Sequence, residues 1–344
     1  MINKNEYLNI INLLGENLEK LYNKSLLITG ATGLIGSYLI NFLHYINATL
    51  NYDMKISIIT RSKNNAETKF KNYDIDIIEQ NLNTNFTLDK NFDFILHLAS
   101  NSHPVAFSLD PVGTMKSNLL GTINLLDGII NTNKNAKFIF VSSGEIYGNN
   151  TDKPFSENDF GCIDSKAVRS CYPESKRAAE TLCMAYKHQY KINVNVIRLC
   201  YVYGSTITKE NSRADAQFLR NALNGEDIIL KSKGLQKRTY CYVADAVSAI
   251  LHILINNFNG EFFNIANPDS IASVKDYAEI LAKIANISIK FEMPNEIEEQ
   301  GFSKQADSIL DSSKLIKTNW KPLYGLEAGL RAAYNNAKDV VNVK

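Results

Sequence analysis

Short apolar runs alternate along the chain with longer segments whose apolar residues recur at helical spacing. The runs KSLLIT, KISIIT, DIDIIEQNL, FDFILHLAS and KFIFVSS are typical of buried strands. Between them, the segment through Leu39, Phe42 and Leu43 and the stretch DPVGTMKSNLLGTINLL predict helices. Because strands that alternate with helices form parallel sheets, we predict an α/β fold with a doubly wound parallel sheet.

The chain on either side of this core is predicted to form further elements. Residues 1–23 are predicted to contain a helix that packs on the core. One face of this helix carries Tyr7, Ile11, Leu14, Leu18 and Leu21. We assign residues 24–202 to the core domain, to which residues 236–266 return as the strand and helix of KRTYCYVADAVSAILHIL. Residues 203–235 and 267–344 are assigned to a smaller C-terminal α/β substrate domain.

The composition is that of a globular protein and narrows the choice of partners. The 344 residues are 45% hydrophobic and 21% charged, with a formal net charge of +1. This balance predicts no basic face for nucleic acid. We expect no membrane span and no signal peptide, and hence a cytoplasmic protein. The five cysteines form no C-x-x-C pair, which predicts reduced thiols and neither a disulfide framework nor a metal site.

Three glycines follow the first strand at G-x-x-G-x-x-G spacing, namely Gly30, Gly33 and Gly36. A β-carbon would obstruct the turn at the first, hold the backbone from a pyrophosphate at the second, and separate helix from strand at the third. The helix that starts near Leu34 directs free N–H groups at the phosphates. A P-loop is excluded because Ser37 follows Gly36. This strand, turn and helix predict a Rossmann dinucleotide-binding domain.

The end of the second strand bears on which dinucleotide is bound. An acidic residue there would accept hydrogen bonds from the adenosine ribose, whereas an arginine would pair with a 2′-phosphate. The chain has Arg61 and no neighbouring acid, which favours NADP over NAD. In the alternative, Arg61 stacks on adenine or faces water.

The next two strand ends carry further cofactor candidates. Asn81, followed by Leu82, has a side-chain oxygen that can accept from the adenine amino group. The fourth strand delivers Leu98, Ala99 and Ser100 to the carboxyl edge of the sheet, where ligands bind in open α/β folds. We expect His97 to be a packed strand residue and not a base.

Tyr172 and Lys176 lie four residues apart at the start of a predicted helix and therefore share a face. The Lys176 ammonium would favour the phenolate and lower the pKa of Tyr172. The phenol could then exchange a proton with a sugar hydroxyl while hydride moves to or from a nicotinamide. Ser143, after the fifth strand, can hydrogen-bond the same oxygen.

The motifs GATGLIG, HLAS, SSGEIYG, Tyr172-x-x-x-Lys176 and KRTYCYVADAV follow the order seen in a known family. From Lys24 to about Arg331 the chain resembles the extended short-chain dehydrogenases/reductases, which are nucleotide-sugar epimerases, dehydratases and decarboxylases. The closest resemblance is to UDP-glucuronate decarboxylases, through RSCYPESKRAAETLC, the Arg213 region and NALNGEDIIL before Arg238.

The resemblance implies a role for each matching residue. The implied catalytic residues are Ser143, Glu145, Tyr172 and Lys176. The implied cofactor contacts are Gly30, Thr32, Gly33, Leu34, Ile35, Gly36, Arg61, Asn81, Leu82, Leu98, Ala99, Ser100, Asn118, Tyr172 and Lys176. The implied contacts to a nucleotide-diphosphate sugar are Asn101, Gly144, Tyr201, Arg213 and Arg238, the two arginines on the diphosphate. Alternatively, Arg238 forms an ion pair with a carboxylate such as Asp245. A homodimer through two helices of the cofactor domain, one of them carrying Tyr172, is also implied.

Two departures from the family pattern bear on the reaction. Dehydratases of the family have Asp-Glu where this chain has Gly144-Glu145, so direct 4,6-dehydration lacks its general acid. Tyr201 replaces the family's asparagine. Ser205 replaces the proline of the family's Gly-Pro-Arg, and no arginine follows it. A uronic-acid carboxylate would want compensating positive charge or several donors, so this loss counts against decarboxylation.

These departures favour hydride transfer at sugar C4, by a 4-keto-sugar reductase or a 4-epimerase in surface-polysaccharide synthesis. The alternative is a decarboxylase of a nucleotide-linked uronic acid. A 4,6-dehydratase and a non-catalytic dinucleotide sensor are the less favoured hypotheses.

Overall fold

A computed structural model describes residues 3–102, 104–148, 153–208, 211–292 and 307–342. Its strands are β1 (Ser25–Thr29), β2 (Lys55–Thr60), β3 (Asp76–Glu79), β4 (Phe94–His97), β5 (Lys137–Ser143), β6 (Asn193–Leu199), β7 (Tyr201–Tyr203), β8 (Ile228–Leu230), β9 (Lys237–Tyr242), β10 (Phe262–Ile265), β11 (Ile271–Ser273) and β12 (Ile289–Phe291). Its helices are α1 (Lys4–Leu14), α2 (Leu34–Leu50), α3 (Lys63–Lys69), α4 (Pro104–Leu109), α5 (Pro111–Thr132), α6 (Cys171–Tyr190), α7 (Ala214–Asn224), α8 (Val243–Ile255), α9 (Val274–Ala285), α10 (Ser313–Ile316) and α11 (Leu326–Asn342).

A seven-stranded parallel sheet forms the core, in the order β10-β6-β5-β4-β1-β2-β3. Helices α1, α2 and α8 cover one face, and α5 and α6 cover the other. Strands buried on both faces must be apolar along their length, as β1 is at Leu26, Leu27 and Ile28. The predicted doubly wound α/β fold is confirmed. The strand order reverses between β1 and β4, and the crevice at that point is where such sheets bind ligands.

The N-terminal segment is broken where one helix was expected. Helix α1 ends at Leu14, and Gly15 caps it with φ of +54°, after which residues Gly15–Leu21 form a 3₁₀ helix. Within α1 the buried apolar face is formed by Tyr7, Ile10 and Leu14, whereas Ile11 is only partly buried. The expected packing on the core is confirmed, because α1 lies against α8.

The buried carboxylate of Glu6 fixes α1 to three distant parts of the chain. The hydroxyls of Tyr38 and Tyr242 donate to it at 2.9 Å and 3.0 Å. The Asn336 amide donates to it at 2.6 Å from α11. Burial raises the pKa of Glu6 despite these donors.

Strand β9 does not return to the large sheet, contrary to the sequence-based expectation. It forms a separate three-stranded sheet, parallel to β7 and antiparallel to β11. Strand pairing breaks at Cys200, between β6 and β7, so the chain leaves the core sheet there. Strand β10 takes the edge position beside β6 instead. The division of the chain into a cofactor domain and a substrate domain remains a prediction.

No helix in the described part of the chain is long and apolar enough to cross a membrane.

Candidate active site

The glycine turn connects β1 to α2 and packs against Leu98 and Ala99, directly after β4. Gly30 has φ of +70°, and a β-carbon there would lie 2.7 Å from the Ala99 backbone nitrogen. A β-carbon at Gly36 would lie 2.3 Å from the Gly30 carbonyl oxygen. Gly33 is the N-cap of α2 and supplies no side chain to its first N–H groups. The turn is therefore packed too closely for larger residues, and it leaves the positive end of a 17-residue helix open to a phosphate.

The buried polar atoms that lack a hydrogen-bond partner among the described residues include two on residues predicted to contact the cofactor. They are the Ser100 hydroxyl, after β4, and the side-chain oxygen of Asn118, on α5. The Asn118 amide nitrogen donates to Ser175 at 2.9 Å, which fixes the side chain. Leu98 and Ala99 are partly buried beside them. Buried groups of this kind are normally paired, so they fit a bound dinucleotide that supplies donors.

The two side chains predicted to contact adenosine, those of Arg61 and Asn81, are exposed. Arg61 lies exposed after β2. The Asn81 side-chain oxygen accepts from the Asn83 backbone N–H at 3.0 Å, so an adenine amino group would have to share it. The Lys69 ammonium donates to the Thr32 carbonyl at 2.7 Å and adds positive charge to the turn. Lys69 was not predicted from the sequence, because that contact spans 37 residues.

The predicted catalytic residues come from β5 and α6. Ser143 ends β5, and Tyr172 and Lys176 lie in the first turns of α6. Tyr172 and Lys176 are both buried, at 7% and 2% exposure. The Lys176 ammonium donates to the Val141 carbonyl at 2.8 Å and lies 4.8 Å from the centre of the Phe140 ring.

The pKa of Tyr172 is raised to about 12, mainly by burial and then by the charge of Glu145. Hydrogen bonding to Ser143 and the charges of Arg213 and Arg169 act in the opposite direction. The lowered pKa of Tyr172 predicted from the sequence is wrong for this geometry, because desolvation of the phenolate outweighs the nearby cations. Burial also lowers the pKa of Lys176 to about 7. The phenol is therefore protonated near neutral pH in the protein alone.

A pocket beside Tyr172 brings together Ser143, Glu145, Tyr201 and Arg213. Gly144 forms part of its wall, and a β-carbon there would lie 3.0 Å from a Leu310 methyl group and 3.3 Å from the Leu199 carbonyl oxygen. The wall has little room for the aspartate that dehydratases carry at this position. Asn101, predicted to contact the substrate, is partly buried, and its amide donates to Thr114 at 3.3 Å.

The two arginines expected to bind a diphosphate occupy different surroundings. The Arg213 guanidinium donates to the Val202 carbonyl at 2.9 Å and lies 3.6 Å from the Asp215 carboxylate. Arg238 lies over the Tyr201 ring, with 4.3 Å between the guanidinium carbon and the ring centre. Tyr201, which replaces the family's asparagine, is thus a stacking partner for Arg238.

The alternative ion pair between Arg238 and Asp245 is wrong. The Asp245 carboxylate instead accepts the backbone N–H groups of Leu323 and Tyr324, at 2.7 Å and 3.2 Å.

Arg169 is a charged neighbour of the pocket that the sequence analysis did not identify. Its guanidinium lies 3.1 Å and 3.2 Å from the two Glu145 oxygens. It also lies over Phe107, whose ring stacks on that of Tyr172 at 5.6 Å. The available signal was its position three residues before Tyr172, close to one helical turn.

Residues 26–266 match the model of the NAD dependent epimerase/dehydratase family. UDP-glucuronic acid decarboxylase 3 of Arabidopsis thaliana is 30% identical over 308 residues, which cover 90% of this chain and 87% of that protein.

Two solved structures share the fold. UDP-glucose 4-epimerase of Thermotoga maritima, solved with UDP-glucose, has a TM-score of 0.78 at 22% identity, covering 93% of this chain and 100% of that one. UDP-glucuronic acid 4-epimerase of Bacillus cereus, solved with UDP-glucuronic acid and NAD, has a TM-score of 0.74 at 22% identity, covering 92% and 99%. At these identities the likeness concerns the fold.

Proposed function

The chain belongs to the NAD dependent epimerase/dehydratase family, and from that premise we propose that it decarboxylates a nucleotide-linked uronic acid of the UDP-glucuronate class. The observation that carries this proposal is the pocket itself, where Glu145 lies beside Ser143 and Tyr172 while Gly144 leaves no acid for dehydration. The decarboxylase at 30% identity over 90% of the chain supports it. The proposal replaces C4 reduction or epimerisation, which the sequence analysis favoured, with its stated alternative.

The chemistry begins at the C4 hydroxyl of the sugar. A bound nicotinamide dinucleotide would supply the acceptor for the C4 hydride and return that hydride at the end of the turnover. Tyr172, as the phenolate, takes the C4 hydroxyl proton, and Ser143 hydrogen-bonds the same oxygen. The positive charge of a bound oxidised nicotinamide would favour this phenolate over the protonated phenol of the protein alone. With C4 as a ketone, the C6 carboxylate is in the β position. The C5–C6 bond then breaks to release carbon dioxide, and its electron pair moves towards the C4 carbonyl oxygen.

Tyr172 completes the reaction by giving its proton back to the C4 oxygen. A proton from solvent replaces the lost carboxyl carbon at C5, so the product is a nucleotide-linked pentose. Glu145 lies where its carboxylate can accept a hydrogen bond from a ring hydroxyl and orient the sugar in the pocket. We propose that Arg213 and Arg238 bind the diphosphate.

We further propose that the cofactor is NAD. A decarboxylase returns the hydride that it removes, so no external reductant is consumed and the bound dinucleotide is recycled. The epimerase from Bacillus cereus was solved with NAD. The prediction of NADP rested on Arg61 pairing with a 2′-phosphate. The exposed position of Arg61 also suits the alternative role, in which its side chain stacks on adenine or faces water.

We also propose that the protein is cytoplasmic and forms a homodimer. Helices α5 and α6 pack side by side on one face of the sheet, and Val112 and Met115 of α5 expose apolar surface. Sedimentation analysis of the purified protein tests the dimer.

The function is tested by incubating the purified protein with UDP-glucuronate and analysing the nucleotide sugars by mass spectrometry. Decarboxylation gives a UDP-pentose, lighter by the mass of carbon dioxide, and releases that gas. A 4-epimerase instead gives an isomer of unchanged mass, separable by chromatography. Tyr172→Phe is the inactive control. Absence of carbon dioxide from every nucleotide uronate tested would refute the proposal. Denaturing the protein and identifying the released dinucleotide distinguishes NAD from NADP.

A further inference from the structure

Arg169 contacts the site but has no role in the reaction proposed above. It lies in a 3₁₀ turn, Val168–Ser170, that leads directly into α6. One guanidinium nitrogen donates to one Glu145 oxygen at 3.2 Å and lies 3.1 Å from the other. The pair is largely shielded, with the Arg169 and Glu145 side chains 27% and 19% exposed. At such exposure a salt bridge is screened less than one on the open surface.

A second contact of Arg169 leads to Tyr172. The guanidinium carbon lies 5.5 Å from the centre of the Phe107 ring. Phe107 is buried and stacks on the Tyr172 ring at 5.6 Å, with 21° between the ring planes. Arg169 is thus bonded to the carboxylate of the pocket and packed against the ring that supports the phenol.

The charges around the Tyr172 phenol oppose one another. Glu145 disfavours the phenolate, whereas Arg169, Arg213 and the Ser143 hydrogen bond favour it. Lys176 is buried on the same helix, one turn further on.

The other arginines near the pocket have different partners. Arg213 lies near Asp215 and bonds the Val202 carbonyl. Arg238 stacks on Tyr201, and its charge also interacts with that of Glu145 at longer range. Among the described residues, Arg169 is the cation within salt-bridge distance of Glu145.

We propose that Arg169 is a positioning residue, whose guanidinium holds the Glu145 carboxylate in the pocket and cancels its charge beside the Tyr172 phenol. The pocket can then keep an anion for orienting the sugar without preventing Tyr172 from losing its proton. This inference deepens the proposed function and rests on it only for the kinetic measurement below.

The test compares the wild type, Arg169→Gln, Glu145→Gln and the double variant, all loaded with NAD. Carbon-13 NMR of protein containing [ζ-¹³C]tyrosine follows ionisation of Tyr172, whose resonance is identified by its absence from Tyr172→Phe. We expect the titration midpoint to rise by about one pH unit in Arg169→Gln and to fall in Glu145→Gln. The double variant should return to the wild-type midpoint, because both opposing charges are gone. This measurement needs no substrate.

The kinetic measurement follows the rate at which bound NAD is reduced after mixing with UDP-glucuronate. It is made at a pH below the titration midpoint of Tyr172. We expect NAD reduction to be about tenfold slower in Arg169→Gln than in the wild type, because the phenolate fraction at a fixed pH falls tenfold for each unit by which the pKa of Tyr172 rises. The double variant should reduce NAD at the wild-type rate. Lys166→Gln, an exposed residue three positions away, is the matched control and should behave as wild type. If the wild type fails to react with any uronate, the proposed function fails, while the NMR titration still decides the role of Arg169.

An unchanged midpoint in folded Arg169→Gln would overturn the inference, as would equal midpoints in Arg169→Gln and the double variant. If Arg169→Gln does not fold, Glu145→Gln is compared with the double variant. Loss of Arg169 should still raise the midpoint there, and no difference would overturn the inference. Arg169→Lys keeps the charge and is expected to retain the wild-type titration within a few tenths of a unit, roughly the resolution of such a comparison.

Discussion

Replacing Gly30 with alanine tests whether the glycine turn is limited by backbone conformation or by close packing. At φ of +70°, alanine pays the left-handed cost of about 1–2 kcal/mol. Its β-carbon would also lie 2.7 Å from the Ala99 nitrogen, 2.8 Å from the Ala99 α-carbon and 2.9 Å from the Leu98 carbonyl carbon. These are backbone atoms of the β4 end and cannot rotate away, so overpacking adds about 1–3 kcal/mol. We expect Gly30→Ala to lower the free energy of unfolding by about 2–5 kcal/mol.

Gly225 provides the matched control for this substitution. It has φ of +71°, almost the same as Gly30, but a β-carbon there would meet no atom within 4 Å. Gly225→Ala should therefore cost only the conformational part, about 1–2 kcal/mol. Urea unfolding of both variants measures the difference, and NAD titration should show weaker binding only for Gly30→Ala. Equal destabilisation by the two substitutions would refute the argument that contact between the β1 and β4 ends makes glycine necessary.

Two further predictions concern the pocket wall and the buried carboxylate of α1. Gly144→Asp is expected to destabilise the protein by about 1–3 kcal/mol through overpacking against Leu310. In thermal unfolding, the same substitution should cost less in a Leu310→Ala background, where the methyl groups are gone. An equal cost in the two backgrounds would contradict the assigned contact. Because burial raises the folded-state pKa of Glu6, its contribution to stability is present at low pH and is lost as pH rises from about 4.5 through the folded-state value. Glu6→Gln should therefore lose less stability than the wild type between pH 4.5 and 7 in urea unfolding, and an identical pH dependence in the two proteins would be inconsistent with this assignment.

Local sequence patterns predicted the buried strands and the glycine turn, which depend on residues close together in the chain. The buried strands needed continuous apolar runs, and the turn at Gly30 needed residues without side chains, so both were visible in the sequence. The positions of Ser143, Tyr172 and Lys176 at the start or end of their elements followed from the same patterns.

Features that depend on distant contacts were not predictable in this way. The pairing of Arg169 with Glu145 spans 24 residues and depends on where a short 3₁₀ turn directs one side chain. The partner of β9 depends on the break at Cys200, since apolar composition suits either sheet. The pKa of Tyr172 was predicted in the wrong direction because a sequence shows which charges are near but not how deeply the phenol is buried.

The bonds to Glu6 also constrain the order in which the chain can complete its fold during synthesis. Its donors lie 32, 236 and 330 residues further along the chain, at Tyr38, Tyr242 and Asn336. While the ribosome is still adding the C-terminal part, this carboxylate has only its nearest donor, and burying it then is costly. We therefore expect α1 to dock late, after most of the sheet has formed, and truncation before α11 to release the first helix of the chain.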